Sequence, residues 1–371
     1  MFKKTLFFIT LIALFSIQNI SAQHHESNNS ENTHTESQDA HASSKHDTKK
    51  LSLKEQIKAD INHHLLDSHS FHVWGPIDFP LPIILWDKGI HFFSSSKFGH
   101  HANEVAESNG SYYAISHHNG HIYKTDAAGV INHNEKGLET NEKPLDLSIT
   151  KSVAMIIITG LIMFLLFGGL AKSYAKNGGI GKGAGRFLEP IVLYIRDEIA
   201  IPNIGEKYYK KYMNYLLTVF FFVWFVNLFG LTPIGVNITG NIAITFSLAI
   251  LTYIITTFTA KKDYWKHIFW MPGVPVPMKI ILAPIELLGT FIKPFALMIR
   301  LYANMKAGHV VLMSIIGLMF IFKGWLGSSL SFGLAFGLSI LELLVAALQA
   351  YIFTVLSALY FGSAAEEHAD H

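Results

Sequence analysis

The sequence predicts an all-α membrane protein of about five membrane helices, ending in a long tilted helical hairpin and preceded by a small exported β-hairpin region. Three observations predict it. Half of the 371 residues are apolar and only 15% are charged, against roughly a quarter charged in soluble domains. The apolar residues gather between Thr150 and Gly362, in runs such as 155–170 and 216–228, each near the ~20 residues of a bilayer-crossing helix. From 278 to 322 the chain is almost continuously apolar with no strong breaker after Pro294. A helix of ~45 residues would approach 65 Å, against a hydrocarbon core of ~30 Å, so one steeply tilted helix is expected there. The lack of cysteine excludes disulfides, thiolate metal centres and cysteine nucleophiles.

Residues 1–22 have the pattern of a signal peptide: Lys3 and Lys4, an apolar run too short to span, then Ile20-Ser21-Ala22. Cleavage after Ala22 would place Gln23 across the membrane from the cytoplasm, in the inner membrane of a bacterium. Residues 23–50 are His, Ser, Asn, Thr, Glu and Lys with almost nothing apolar, a composition expected to stay disordered. Residues 51–148 form the small exported region. Segments 111–116 and 121–125 flank Asn119-Gly120, a dipeptide suited to tight turns, and predict a β hairpin. Segment 71–86 reads as extended chain packed on that hairpin or on the membrane surface. From 23 to 147 there are 17 acidic against 10 basic residues, so the exported part is acidic.

Sixteen of the 20 histidines fall in this exported part. Imidazole is a common metal ligand, yet the spacing is irregular, and neighbours such as His63-His64, His100-His101 and His117-His118 point apart on a regular element. No specific metal site is expected.

The membrane domain is expected over 149–371. Lys172, Lys176, Lys182 and Arg186 follow the first span and mark a cytoplasmic loop; loop 232–241 has no charge and is exported; Lys261, Lys262 and Lys266 return to the cytoplasm. The carboxyl terminus is then cytoplasmic. The glycine-rich stretch 178–185 lacks phosphate-loop spacing and reads as a flexible linker. In 186–199, Leu188, Ile191, Val192, Ile195 and Ile199 recur at helical spacing among charges, which predicts an amphipathic helix on the cytoplasmic membrane surface.

Glu286, Lys293, Arg300, Asn304, Lys306 and His309 interrupt the longest apolar stretch. An intramembrane arginine costs about 2.5–3.5 kcal/mol on insertion scales and cannot escape by losing its proton, so it calls for a function. Glu286, Lys293, Arg300 and Asn304 fall within one helical stripe roughly 60° wide, and His309 faces the opposite side. Segment 328–362 supplies the hairpin partner, with Glu342 and Gln349 on one face. Taken singly, His309 and Glu342 are readable as interior structural groups, Asn304 and Gln349 as interhelical glue, and Lys293 and Lys306 as snorkelling cations.

Together these residues carry a specific resemblance. Lys293-Pro-Phe-Ala-Leu-Met-Ile-Arg-Leu-Tyr-Ala-Asn-Met-Lys-Ala-Gly-His309, then Leu343-Leu-Val-Ala-Ala-Leu-Gln-Ala-Tyr-Ile-Phe-Thr-Val-Leu-Ser-Ala-Leu-Tyr360, resembles the signature of subunit a of the F-type ATP synthase. Trp224-Phe-Val-Asn-Leu-Phe-Gly-Leu-Thr-Pro233 and Thr239-Gly-Asn-Ile-Ala-Ile-Thr-Phe-Ser-Leu248 resemble the same family. The resemblance covers 152–362 and says little about the longer, His-rich amino-terminal part.

It implies the stator ion channel of the Fo motor, which is not itself catalytic and carries protons through two offset half-channels to and from the c-ring carboxyls. Arg300 matches the family's essential arginine. Asn304 and Gln349 match polar positions beside it, and His309 and Glu342 a pair in the exported half-channel, where many members carry the two types exchanged. Asn227 matches a polar residue at that entrance and Glu286 one in the cytoplasmic half-channel; Gly230 stands where some members have an acid. Implied partners are the c-subunit ring, the b subunits of the peripheral stalk, the rest of the F1Fo complex and the bilayer, with no cofactor and no nucleic acid. The rival class is a metal or cation transporter whose His-rich exported segment captures the ion. Such a protein should show acidic and His ligands within the spans, or paired repeats, and the later helices hold only one His and two acids.

Overall fold

The computed structural model describes residues 67–74, 77–99, 104–176, 178, 183–232, 236–271, 274–321 and 325–365. The expected signal peptide, the His-rich segment 23–50 and most of the glycine-rich linker lie outside these residues.

The β region is built from three small sheets. β1 (Ser70–Trp74) and β2 (Ile77–Pro80) form an antiparallel ribbon. β3 (Pro82–Trp86) pairs with β4 (Ile90–Ser94) on one edge and with β8 (Leu145–Asp146) on the other. β5 (Ala106–Ser108), β6 (Ser111–Ile115) and β7 (Ile122–Thr125) form a meander. The expected hairpin is β6–β7, with Tyr112 opposite Thr125 and Ile115 opposite Ile122. Its loop takes one left-handed residue, Gly120 (φ 73°), whose amide donates to the Ser116 carbonyl at 2.8 Å. A second Asn-Gly pair, not singled out in the sequence, closes β5–β6: Asn109 (φ 51°) and Gly110 (φ 76°) are both left-handed, as a two-residue primed turn requires.

Ile83, Leu85, Phe93, Phe98, Tyr113 and Ile122 bury together as the core of this β domain, so the β3 segment does pack on the hairpin. Phe71 goes elsewhere. It packs on Met155, Val226, Val236, Ile238 and Ile244 at one end of the helical bundle. Two hydrogen bonds reinforce that seat: the Lys151 amide donates to the Ser68 carbonyl at 2.9 Å, and the Ser152 amide to Asp67 Oδ1 at 3.1 Å. A carboxylate there satisfies an otherwise orphaned amide and complements the helix dipole.

The helices are α1 (Lys151–Lys176), α2 (Ala184–Tyr194), α3 (Ile201–Ile204), α4 (Tyr209–Gly230), α5 (Ile242–Thr259), α6 (Lys262–Phe269), α7 (Val276–Ile321) and α8 (Trp325–Ala365). Five of them, α1, α4, α5, α7 and α8, are long and apolar enough to cross a membrane. Asn241 caps α5, its side-chain oxygen accepting from the Ala243 amide at 3.0 Å. Thr252, Thr256 and Thr259 of α5 return their hydroxyls to carbonyls one turn earlier, which satisfies them inside an apolar helix. The continuous apolar stretch is one helix, α7, of 46 residues containing Pro284 and Pro294. At 1.5 Å per residue it is about 69 Å long. α8 packs along α7 and α4, and α5 along α7.

One expectation is corrected. The segment 186–199 is helical, but its apolar stripe does not lie on a membrane surface. α2 continues into a π-helical turn, Ile195–Ala200, and Leu188, Ile195, Ile199 and Ala200 bury in the main core with Tyr212, Leu216, Phe353 and Phe361. An amphipathic stripe shows that a face must be covered, not by what; here α1 packs on α2, and α4 and α8 on the π-helical turn. Phe187 and Tyr194 remain outside.

Candidate functional site

α7 is divided lengthwise. Leu297, Leu301, Met305 and His309 are buried, while Lys293, Arg300 and Asn304 are exposed and Glu286 is half-buried. The stripe expected from helical periodicity is therefore an open face, and His309 lies on the packed side as expected. The outer faces of the hairpin are also apolar, with Phe295, Ile299, Leu341, Leu344 and Leu348 exposed.

Three interior polar residues, Asn227, His309 and Glu342, are buried in the bundle. Asn227 of α4 is 1% exposed; its Oδ1 accepts from Thr239 Oγ1 at 2.6 Å, while its Nδ2 has no partner among the described residues. His309 and Glu342 are 6% and 7% exposed. The hairpin lays the Glu342 carboxyl over Gly308, beside His309: a Cβ at Gly308 would stand 2.9 Å from Glu342 Oε1. The glycine makes room for the acid. Neither Glu342 oxygen has a hydrogen-bond partner among the described residues. A carboxyl so placed finds its partner in water or a proton, since desolvated polar atoms are costly to leave bare. Lys151, first residue of α1, acts electrostatically on both His309 and Asp67.

Arg300 lies nine residues before His309 on α7, about 13 Å along the axis. It forms no ion pair or hydrogen bond with any described residue, although its charge reaches Tyr360 of α8. The Tyr360 hydroxyl donates to the Lys293 carbonyl at 3.4 Å, and Lys293 Nζ lies 5.9 Å from that ring centre. Asn304 shares the open face with Arg300, whereas Gln349 is 4% exposed in the α8 packing; no hydrogen bond joins either to Arg300 among the described residues.

Toward the start of α7 a small cleft opens between α5, α6, α7 and α8, lined by the hydroxyl-bearing Thr252, Tyr253, Thr256, Thr290 and Tyr360 and by Lys293 among others. Glu286 acts electrostatically on Tyr264, which also borders it. Sequence reasoning found Glu286 and Lys293 but missed the hydroxyls. The four-residue spacing of Thr252 and Thr256 was the available signal.

Chemically, the chain offers two polar recesses offset along α7, with an unpaired arginine on the open face between them. Acids, imidazole, hydroxyls and amide groups of this kind transfer protons and hold water. Among the described residues no three His, Asp or Glu side chains come together as a metal ion would need.

A family model described as ATP synthase A chain matches residues 153–362. Residues 60–147 match a model described as a domain of unknown function (DUF8433). ATP synthase subunit a of Chloroherpeton thalassium is 42% identical over 233 residues, covering 61% of this chain and 69% of that protein. The subunit a of Myxococcus xanthus is 41% identical over 237 residues, 61% of this chain and 77% of its own length. That of Anaeromyxobacter sp. strain Fw109-5 is 38% identical over 257 residues, 67% of this chain and 62% of its own. The matches thus span roughly two thirds of these relatives.

Proposed function

The chain belongs to the ATP synthase A chain family, and on that premise we propose that it is the stator subunit of an Fo motor, carrying protons between the two sides of the membrane by way of a rotor. The observation that carries the reading is the division of α7: Arg300 on an open face, with His309 and Glu342 recessed toward one end and the hydroxyl-lined cleft, within electrostatic reach of Glu286 through Tyr264, toward the other.

A ring of c subunits fits the open face of α7 and α8, each bringing a carboxyl to Arg300. A fixed guanidinium beside that carboxyl stabilises its charged form, so a proton arriving there is released. The same cation blocks a direct crossing between the recesses, which would dissipate about 2.3 kcal/mol per charge per 100 mV. Protons reach the ring through Asn227, His309 and Glu342 on the exported side and leave past Glu286 and the cleft bordered by Tyr264 on the cytoplasmic side. Asn304 and Gln349 tune the polarity near Arg300. The placement of Lys172, Lys176, Lys261 and Lys262 supports this orientation, with the β domain exported and the carboxyl terminus cytoplasmic. An imidazole-carboxyl pair favours protons over sodium, because both groups titrate. The b subunits of the peripheral stalk hold the stator against rotation.

Arg300→Ala tests the reading. ATP-driven acidification of inverted membrane vesicles should vanish while the complex assembles in normal amount, since one side chain on an open face holds little of the bundle. Arg300→Lys should fail too, because an ammonium lacks the planar fork and can lose its proton when desolvated. Wild-type acidification by the alanine variant overturns the proposal.

A further inference from the structure

The β domain is seated at the start of α1, whose first residue, Lys151, lies within electrostatic reach of His309. Phe71 packs against the cluster that contains Met155 and Val226, the residue before Asn227. Asp67 caps α1 at Ser152, and Lys151 lies within electrostatic reach of both Asp67 and His309. Behind Asp67, His69 is 5% exposed, with Nε2 3.1 Å from Asp146 Oδ2 and Nδ1 without a partner among the described residues. His121, Lys143 and Glu139 surround this pair electrostatically. Buried polar atoms lacking partners therefore recur from the domain seam, at His69, into the bundle, at Asn227 and Glu342. Such atoms mark where water is held in a protein interior.

We propose that the β domain forms the mouth of the exported proton path, protons entering at His69 and Asp146 and passing Asp67 and Lys151 to reach His309 and Glu342. The inference rests on the proton-path reading above and gives a role to the segment that matches a domain of unknown function. His69 takes a proton from water at a ring nitrogen and returns one to the next water inward, so the imidazole ends neutral and only N–H and O–H bonds change. Asp67, Asp146 and Glu139 offset the Lys151 and Lys143 charges, so the seam does not repel an incoming cation.

The whole complex, reconstituted in liposomes with its catalytic sector outside, gives the test. His69→Gln and Asp146→Asn keep the shape of the pair without its titration, and each should slow potential-driven proton flux several-fold at normal assembly. Because the chain has no cysteine, Ser68→Cys can be labelled before reconstitution with cationic or neutral thiol reagents of similar size. The cationic adduct should slow flux more than the neutral one, and at the exposed control Glu135→Cys neither should act. Wild-type flux in both His69→Gln and Asp146→Asn, or equal effects of the two adducts at Ser68→Cys, overturns the mouth. His309→Ala separates the two readings: if it loses flux while the seam variants do not, the half-channel stands and the mouth falls; if His309→Ala and Arg300→Ala also conduct normally, the half-channel reading itself fails.

Discussion

His309 and Glu342 are 33 positions apart, and the fold brings the Glu342 carboxyl to Gly308, the residue before His309, where an added Cβ would stand 2.9 Å from Oε1. Neither residue could be assigned a partner from periodicity, because the hairpin register between α7 and α8 decides which pairs meet. If the two form one relay, His309→Ala and Glu342→Ala should each lower vesicle acidification sharply. The exchanged double variant, His309→Glu with Glu342→His, should recover more flux than either half alone, since coupled sites depart from additivity and independent ones do not. Strictly additive losses would return both residues to structural roles. Arg300 differs in kind. Its helical stripe was legible in the sequence because period alone sets which residues share a face, and the structure leaves it unpaired with any described residue.

Among elements, the α8 end is the most tightly constrained. A Cβ at Gly362 would collide with the Asn203 carbonyl oxygen of α3, and that atom is backbone, which cannot rotate away. Gly362→Ala should therefore cut the amount of assembled complex on native gels, by an overpacking effect of about 1–3 kcal/mol. Gly168→Ala in α1, where no atom lies within 4 Å of the added carbon, should assemble normally; equal assembly of the two variants would refute this contact. The segment now split between α2 and the π-helical turn shows the converse limit. Its hydrophobic spacing announced a helix with an apolar stripe, but that α1, α4 and α8 cover the stripe was set by packing that local pattern does not encode. The β5–β6 turn was readable and overlooked: Asn109-Gly110 has the turn chemistry expected instead at Asn119-Gly120.

For the molecule as a whole, the β domain carries an acid-sensitive group, His121. Burial, helped by the Lys143 charge, lowers the His121 pKa to about 4 from its ordinary value. In the unfolded chain this imidazole takes its proton near pH 6.5. The folded domain is thus fully stabilised above about pH 6.5 and loses stability, of order 2 kcal/mol, as pH falls toward 4. Asp87 adds nothing in that window. Its carboxyl is held down chiefly by the Lys124 ammonium at 2.6 Å, so its contribution is lost only below the ordinary carboxylate range. Hydrogen exchange in 106–125, corrected for intrinsic rates, should quicken between pH 7 and 4.5 in the assembled complex and respond less in His121→Gln. An unchanged wild-type profile would show that His121 is not the acid-sensitive group.

By itself the sequence determined the class of the protein, its five apolar spans, the single long helix expected over about 278–322 and the face on which Arg300 stands, because these follow from composition and from short-range helical periodicity. The family signature around Arg300 was likewise legible, being contiguous. Only the tertiary structure decided that Glu342 overlies Gly308, that 186–200 is covered by protein and that Phe71, Asp67 and Ser68 seat the β domain at the end of the bundle. Each of those is a contact between segments far apart in the chain. Local pattern specifies which surfaces must be covered, while the register and close approach of distant backbones select what covers them.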